Sequence, residues 1–307
     1  MADPTHEPVM AEEVLELLPL RPGGLAVDGT IGLAGHGLRI AEKLAPGGLF
    51  VGLDWDETML RIAEERLAGV KDVEKELFHT DYRGLPDALR KAAQAHGRKP
   101  LADAILLDLG LNSAQIEDPS RGISFNFEGP LDMRMDRSTG EPASALLNRL
   151  SVHEIERMLK QYGDENWAKR IAQVIVDRRK IQPLRTTGDL VDCVLAAVPP
   201  AMRDKRIHPA TRTFQAVRIA VNGELEGLDE TFEEIALQLA QGGVLAVLAY
   251  HSGEDRAAKH AFRRLQQRGF EELFRRPRTP SENEIQRNPK SRSAKLRALR
   301  RIEENHL

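Results

Sequence analysis

Short apolar runs alternate with amphipathic stretches along the first 110 residues of the chain. The apolar runs cover residues 25–28, 49–54 and 104–108, and a further run ends at residues 77–78. Between them, apolar side chains recur every three or four positions in residues 11–18, 57–67 and 85–95. Continuous apolar strands that alternate with helices predict an α/β fold with a doubly wound, mostly parallel sheet.

From residue 112 to residue 208 the pattern contains no recognisable buried strand. Helical periodicity dominates there, in residues 143–150, 152–162, 166–180 and 187–198. Two more helical stretches, an apolar run, a basic helix and an ending that fits either strand or helix follow at residues 212–222, 224–239, 244–250, 254–268 and 294–302. We therefore expect a discontinuous α/β domain of residues 1–112 and 209–307, interrupted by an all-helical domain of residues 113–208.

Composition limits the class of protein. The chain has 307 residues, of which 41% are hydrophobic and 30% charged, as in a globular protein with a full core. No apolar run approaches the ~18 residues needed to cross a bilayer, and the acidic start shows no secretory signal. The single cysteine, Cys193, cannot form an internal disulfide. We therefore expect a cytoplasmic protein without membrane association.

Positive charge is concentrated near the end of the chain. Residues 256–301 contain fifteen lysines and arginines but four acidic residues, a local net charge of +11, whereas the whole chain carries −3. Such a segment can neutralise the phosphates of a nucleic acid. A solvated basic helix face followed by a tail remains an equally open explanation of the same residues.

Three of the predicted strands end in aspartate, at Asp28, Asp54 and Asp108. Ligands of such sheets bind beyond the carboxyl ends of the strands. Residues 28–37 are glycine-rich, which allows a tight turn and close approach of the backbone to a ligand. Asp54 has the spacing of a carboxylate that accepts ribose hydroxyls, in NAD or in S-adenosylmethionine, and Tyr82 is a candidate aromatic wall for adenine.

The residues after the fourth strand favour methyl transfer over hydride transfer. Asp108 is followed by Leu-Gly-Leu-Asn-Ser, a polar turn of the kind that amino methyltransferases place beside the methyl donor. Two aspartates at neighbouring strand ends would also attract a sulfonium cation. The chain has no cysteine and histidine cluster with metal spacing, so we expect no metal.

Longer strings resemble one known family. They are His-Glu-Pro-Val-Met at 6–10, Asp-Leu-Gly-Leu-Asn-Ser-Ala-Gln at 108–115, Asp-Pro-Ser-Arg-Gly-Ile-Ser-Phe at 118–125, Gly-Pro-Leu-Asp-Met-Arg-Met-Asp at 129–136, His-Pro-Ala-Thr-Arg-Thr-Phe-Gln at 208–215, His-Ser-Gly-Glu-Asp-Arg at 251–256 and Asn-Pro-Lys-Ser-Arg-Ser-Ala-Lys-Leu-Arg at 288–297. With these strings the chain resembles the bacterial RsmH (MraW) family from about residue 6 to residue 297.

The resemblance implies a Rossmann-like methyltransferase that uses S-adenosylmethionine to methylate the exocyclic 4-amino group of a cytidine in 16S ribosomal RNA, in the decoding region of the small subunit. It implies that the donor is lined by Ala34, Gly35, His36, Asp54, Tyr82, Asp108 and Gln115. The chain departs from the family pattern at Gly29, Leu33 and Ala34, where the family loop usually has alanine and two glycines, and at Gly253, where it usually has leucine.

The methyltransferase function that the resemblance implies also indicates candidate catalytic and RNA-binding residues. Asp108, with Asn112 or Ser113, is the candidate acceptor for the N–H groups of the target amine. The target base must be single-stranded or extruded, and the candidates that would hold it or the RNA are Phe125, Phe127, Asp132, Arg134, His208, Arg212 and His251. The arginine-rich end from residue 275 to residue 301 is expected to follow the RNA backbone.

Three other functions remain open at the level of sequence. The glycine-rich loop and Asp54 also suit an NAD-dependent oxidoreductase, and a ribosome-assembly factor that binds RNA without catalysis would keep the same residues. A DNA amino methyltransferase usually shows an Asp/Asn-Pro-Pro-aromatic string, which residues 108–111 lack. The sequence also leaves a homodimer open.

Overall fold

A computed structural model describes residues 8–111, 113–204 and 207–302 of the chain. Contacts between residues divide them into two compact units. The sheet unit contains the chain up to Gly110 and from Gly227 onward, and the helical unit contains Leu111–Glu226. The helical unit is thus an insertion in the sequence of the sheet unit.

The sheet unit is built on one seven-stranded sheet. Its strands are β1 (Leu25–Asp28), β2 (Gly48–Asp54), β3 (Val73–His79), β4 (Ala102–Asp108), β5 (Leu239–Ala249), β6 (Phe270–Glu272) and β7 (Lys295–Arg301). Their order is β3-β2-β1-β4-β5-β7-β6; β1 to β5 run parallel, and β7 is antiparallel to β5 and to β6. The predicted doubly wound, mostly parallel α/β fold is therefore confirmed, and the chain end that fitted strand or helix is a strand.

The α-helices within the described residues follow in chain order. They are α1 (Ala11–Leu17), α2 (Gly35–Leu44), α3 (Glu57–Leu67), α4 (Leu85–Ala95), α5 (Ser113–Glu117), α6 (Ala143–Arg149), α7 (Val152–Gly163), α8 (Ala168–Ile181), α9 (Thr187–Ala197), α10 (Thr211–Asn222), α11 (Leu228–Ala236), α12 (Ser252–Leu265) and α13 (Glu282–Arg287). No helix of this part of the chain is long and apolar enough to cross a membrane.

The register of the central strands brings their polar ends to one level. Asp28, the last residue of β1, lies opposite Gly52 of β2 and Leu106 of β4. Asp54 and Asp108 each follow two residues later, so they extend beyond Asp28 at the same edge of the sheet. Strands β1 and β2 are buried at every position, and β4 is buried at five of its seven positions.

The helical unit has a hydrophobic core of its own. Helices α7, α8, α9 and α10 pack against one another through buried residues such as Leu159, Ile171, Leu190 and Val217. Helix α7 begins with a capping box in which Ser151 and Glu154 satisfy each other's backbone N–H groups.

The second boundary between the units lies later than the sequence predicts. The sequence predicts a return to the α/β domain at residue 209, whereas the helical unit extends to Glu226. Helix α10 belongs to the helical unit because its apolar face, which includes Phe214 and Val217, packs against α7. A helical periodicity alone carries no information about which of two cores the apolar face joins.

Candidate functional site

The loop after β1 is anchored to both neighbouring strands. The N–H of Gly29 donates to the carbonyl of Leu106 in β4, and the N–H of Ile31 donates to Leu53 in β2, each at 2.9 Å. The N–H of Gly32 donates to Oδ2 of Asp54 at 2.8 Å. These bonds fix the loop across the carboxyl ends of three strands, where it forms a rigid edge to the site.

The loop enters helix α2 through a left-handed residue. Ala34 has a φ of +58° and is fully buried. A residue with a Cβ pays roughly 1 kcal/mol or more in this conformation, which glycine adopts freely. The next residue, Gly35, lies against Pro8, whose Cβ is 3.3 Å from the position of a Cβ added to Gly35.

The three strand-end aspartates form an acidic edge. Asp28 is 1% exposed, and its burial, together with the charges of Asp108 and Asp54, raises its pKa to about 7. The mutual influence of the three carboxylates shows that they share one electrostatic environment. The carboxylates at this edge would attract a positively charged ligand.

Asp54 and Asp56 have different tasks. Asp56 accepts the N–H of Thr58 at 3.0 Å and caps helix α3. Asp54 accepts the N–H groups of Gly32 and Asp56 through its two oxygens, at 2.8 and 2.9 Å. Asp56 is thus the cap of α3, whereas Asp54 lies at the end of β2 beside the loop.

Asp108 lies at the centre of a group of polar residues. Its N–H donates to Oγ1 of Thr30 at 2.6 Å, and Nε2 of His36 lies 3.7 Å from its Oδ2. The hydroxyl of Tyr250 donates a hydrogen bond to the Asp108 carboxylate. Neither Thr30 nor Tyr250 is among the residues that the sequence predicts for the site. Thr30 could have been found from its spacing, because it lies two residues beyond Asp28, at the level of Asp54 and Asp108.

Two aromatic residues lie in this part of the sheet unit. Tyr82 is buried in a short 3₁₀ turn, Tyr82–Gly84, and the Arg83 guanidinium lies 5.2 Å from its ring centre. Trp55 is half-buried directly after Asp54, and its carbonyl is 2.9 Å from Nε2 of His79. The sequence predicts Tyr82 as an aromatic wall but misses Trp55, which its place after a strand-end aspartate could have indicated.

The remaining donor-site and catalytic candidates belong to the helical unit. Gln115 is buried within helix α5, which begins at Ser113. Asn112 lies outside the described residues.

Asp132 and Arg134 hold a loop of the helical unit together. Nε and Nη2 of Arg134 donate to the two oxygens of Asp132 at 2.7 and 3.1 Å. Nη1 of Arg134 donates to the carbonyls of Arg137, Thr139 and Gly140. Burial acts to raise the pKa of Asp132, but the hydrogen bonds and charge of Arg134 outweigh it, and the pKa is lowered. This pair therefore shapes the loop.

His208 and Phe125 form a stacked pair in the helical unit. Their ring centres are 4.6 Å apart with 20° between the planes, and Phe214 meets Phe125 edge-on at 5.4 Å. Nδ1 of His208 accepts the N–H of Ala210, while the residue as a whole is exposed. Nearby in sequence, Arg212 donates to the carbonyl of Asp164 at 3.2 Å. The structure thus brings Phe125 and His208 together as an aromatic stack.

His251 caps helix α12. Its Nδ1 accepts the N–H groups of Gly253 and Glu254 at 3.2 and 3.4 Å, and its Nε2 lies 3.1 Å from Oε1 of Glu254. Glycine at position 253 retains the N–H that this cap uses. Nδ1 of His251 therefore serves the cap, whereas its buried Nε2 lies beside Glu254 without a hydrogen bond to the described residues.

The basic end of the chain is divided between internal and exposed charges. Lys295 and Arg297 both bind Asp255, at 3.1 and 2.7 Å, and Arg300 pairs with Glu271. The four cations Arg275, Arg276, Arg278 and Arg292 are exposed and make no ion pair within the described residues. We call these four residues the arginine patch.

Comparison with known proteins identifies similar chains. The model of the MraW methylase family matches residues 3–302. A ribosomal RNA small subunit methyltransferase H from Pelobacter propionicus is 44% identical, covering 98% of this chain and all of that protein. A protein of the same name from Heliobacterium mobile is 43% identical, covering 97% of this chain and 99% of that protein.

Solved structures give weaker similarities. An rRNA methylase from Streptococcus thermophilus has a TM-score of 0.38 and 14% identity, covering 95% of this chain and 94% of that one. A SAM-dependent O-methyltransferase from Thermotoga maritima has a TM-score of 0.39 and 9% identity, covering 97% and 66%. The family assignment therefore rests on the sequence matches alone.

Proposed function

Because this chain belongs to the MraW methylase family, we propose that it methylates the exocyclic 4-amino group of a cytidine in the decoding region of 16S ribosomal RNA, with S-adenosylmethionine as the methyl donor. The family expected from the sequence is thereby confirmed. The names of the relatives, ribosomal RNA small subunit methyltransferase H, support the broader assignment to the RNA of the small subunit. The cytidine and its 4-amino group are the finer part of the proposal.

The acidic edge is the observation that carries the proposal for the donor. S-adenosylmethionine supplies a methyl group activated by a positively charged sulfur, and it also carries an ammonium group. Asp28, Asp54 and Asp108 lie at neighbouring strand ends, and burial, helped by the charges of Asp108 and Asp54, raises the pKa of Asp28 to about 7. The residues present thus suit a cationic donor.

The loop and the end of β2 would hold the donor in place. Asp54 is the proposed acceptor for the ribose hydroxyls, because its position is fixed by the N–H groups of Gly32 and Asp56. Ala34, Gly35 and His36 would supply the backbone and the first turn of α2. Tyr82 and Gln115 complete the proposed lining.

Asp108 is the proposed catalytic residue. The lone pair of the cytosine 4-amino group is delocalised into the ring, so this nitrogen is a weak nucleophile. A carboxylate that accepts its N–H favours rehybridisation and stabilises the developing positive charge. The nitrogen would form its bond to the methyl carbon while the carbon–sulfur bond breaks, with the electron pair staying on sulfur as a neutral thioether, and the extra proton would then pass from the nitrogen to water. Asn112 and Ser113 are proposed as further acceptors.

The helical unit is proposed to recognise the RNA. A single-stranded or extruded base requires a flat surface, and the stacked pair Phe125 and His208 offers one with the histidine exposed. Asp132 and Arg134 would shape the neighbouring loop rather than bind phosphate, because they engage each other. Arg212 is a proposed phosphate contact, and His251 would act through its cap on α12.

The RNA backbone is proposed to follow the arginine patch. Its four cations are exposed without an ion-pair partner among the described residues, so their charge is available to phosphates. Lys295 and Arg297, by contrast, bind Asp255.

The experiment that tests the function uses small ribosomal subunits from cells that lack this protein. Purified protein and methyl-labelled S-adenosylmethionine are added, and the ribosomal RNA is digested and examined by mass spectrometry. We expect one labelled nucleoside, N4-methylcytidine, and no label with the Asp108→Ala variant that still binds the donor. Label on another nucleoside would overturn the cytidine assignment. RNA binding without any label would favour an assembly factor.

A further inference from the structure

Tyr250 follows directly after strand β5, at the same edge of the sheet as Asp108. Strand β5 runs parallel to β4, with Leu248 opposite Asp108, and the N–H of Leu109 donates to the carbonyl of Leu248 at 3.0 Å. Tyr250 therefore lies two residues beyond the strand position that faces Asp108. Thr30 has the same offset on the other side of β4. It lies two residues beyond Asp28, which is opposite Leu106, and is therefore at the level of Asp108.

The ring of Tyr250 lies against the turn that follows Asp108. A Cβ added to Gly110 would be 2.6 Å from Cε2 and 2.8 Å from Cζ of Tyr250, closer than real side chains approach. Glycine at position 110 is therefore what lets the phenol end of the ring reach this turn. The N–H of Gly110 donates to Oδ1 of Asp108 at 3.3 Å, so ring, turn and carboxylate form one packed group.

The backbone of Tyr250 is fixed by helix α12. Its N–H donates to Oε2 of Glu254 at 2.7 Å, and the N–H of His251 donates to the same oxygen at 3.2 Å. Glu254 is only 3% exposed. Moving Tyr250 away from Asp108 would thus break the cap of α12, which keeps the hydroxyl where it binds the carboxylate.

The phenol of Tyr250 remains a hydrogen-bond donor at every physiological pH. Burial raises its pKa well above the usual value, and the nearby carboxylates of Asp108, Glu254 and Glu284 raise it further. Tyr250 can therefore give a hydrogen bond to Asp108 but cannot remove a proton from a substrate. This excludes a role as general base and leaves an orienting role.

We propose that Tyr250 is a positioning residue for methyl transfer, whose hydroxyl holds the Asp108 carboxylate in the orientation that accepts the N–H of the target amine. The inference rests on the proposed function and extends it to a residue of β5's end. With Gly110 and Tyr250 each donating to it, the carboxylate has few remaining orientations. Its other lone pairs then point in a fixed direction, which lowers the entropic cost of meeting the amine.

The first test compares Tyr250→Phe with Tyr162→Phe, a tyrosine of helix α7 in the helical unit. Phenylalanine keeps the ring on Gly110 and removes only the hydroxyl. We expect kcat of Tyr250→Phe to fall about tenfold or more, as for one lost hydrogen bond to a charged group. The KM for the donor and the melting temperature should stay near the wild-type values. Unchanged kcat, or a loss of stability alone, would overturn the proposal.

The second test detects the hydrogen bond without any substrate. The chain contains three tyrosines, whose ionisation is followed by ultraviolet absorbance during alkaline titration. We expect the most basic tyrosine to be absent in Tyr250→Phe and to titrate at lower pH in Asp108→Asn. No change in Asp108→Asn would overturn the inference. If the wild-type protein labels no ribosomal RNA while the titration behaves as expected, the proposed function fails and the contact stands.

Discussion

Oγ1 of Thr30 accepts the backbone N–H of Asp108 at 2.6 Å, and so joins the loop after β1 to the end of β4. Thr30 also donates its own N–H to Asp28 at 3.1 Å. One residue thus links two of the three strand-end aspartates, through its hydroxyl to Asp108 and its backbone N–H to Asp28. The catalytic proposal depends on this link because it sets the position from which the Asp108 side chain leaves the strand.

Thr30→Val removes this acceptor at constant shape. The N–H of Asp108 would lose its partner, and we expect a loss of about 1 to 3 kcal/mol in the free energy of unfolding. Methyl transfer should fall further than donor binding. Thr30→Ser keeps the hydroxyl and serves as the control. Urea unfolding measures the stability, and equal stability of the valine and serine variants would contradict the assigned contact.

Ala34→Gly should stabilise the protein. Ala34 holds a φ of +58°, where glycine avoids a cost of roughly 1 kcal/mol or more, partly offset by the freedom glycine gains when unfolded. We expect a net gain of up to about 1 kcal/mol by thermal or urea unfolding. Ala257→Gly, in the interior of right-handed helix α12, is the matched control and should lose about 1 kcal/mol. If both substitutions change the free energy of unfolding in the same direction, the left-handed conformation of Ala34 is contradicted.

The proton on Asp28 should make stability fall as pH rises. Burial raises its folded-state pKa to about 7, whereas the unfolded side chain keeps its usual value near 3.8. The folded protein therefore holds this proton more tightly, and its contribution is fully present below pH 4 and lost as pH rises through 7. The loss approaches 1.4 kcal/mol for each pH unit in between, as an order of magnitude.

Asp28→Asn isolates that contribution. Asparagine keeps an oxygen for the N–H of Thr30 but carries no titrating group, so the other carboxylates contribute equally to both proteins. We expect the free energy of unfolding of the variant minus that of the wild type to grow from pH 4 to pH 7. Parallel pH profiles of the two proteins would show that Asp28 is ionised throughout.

Asp54→Asn should weaken donor binding. The amide replaces one of two acceptor oxygens at the end of β2, and we expect the affinity for S-adenosylhomocysteine to fall about tenfold or more in calorimetry. Asp56→Asn is the control, because asparagine caps a helix as well as aspartate does. If both variants bind as the wild type does, Asp54 has no part in the donor site.

Loss of the arginine patch should reduce the salt dependence of RNA binding. Replacing its four arginines with alanine removes four phosphate contacts, and the slope of log affinity against log salt should become shallower by about 3. The control of equal charge change replaces arginines already paired with carboxylates: Arg21, Arg39, Arg61 and Arg90. If both sets of substitutions change the slope equally, the RNA does not bind at the arginine patch.

The apolar pattern predicts the sheet and the acidic edge because both are local properties of the sequence. Each buried strand is a continuous apolar run, and each of Asp28, Asp54 and Asp108 ends such a run. Parallel strands bring their carboxyl ends to one edge of the sheet. The positions of the apolar runs are therefore sufficient to predict that the three aspartates lie at that edge. The apolar pattern and the strand-end aspartates predict no more than a site for a cationic nucleoside ligand. The functional class is predicted by the longer strings that resemble a family.

Contacts between distant elements could not be predicted in the same way. The partnership of Tyr250 with Asp108 requires knowing that β5 lies beside β4, although the whole helical unit separates them in sequence. The membership of α10 in the helical unit and the pairing of Lys295 and Arg297 with Asp255 depend on packing as well. Charge counts cannot distinguish a cation that is neutralised inside the fold from one that meets solvent.

The insertion between β4 and β5 has a consequence for the order in which the molecule matures on the ribosome. Strand β4 and the anchored loop leave the exit tunnel before the helical unit is translated, and β5 emerges only after it. During that interval one flank of β4 has no neighbouring strand, and Asp108 has no tyrosine beside it. The nascent chain thus acquires its oriented carboxylate only when synthesis is nearly finished, which postpones catalytic competence until both units exist.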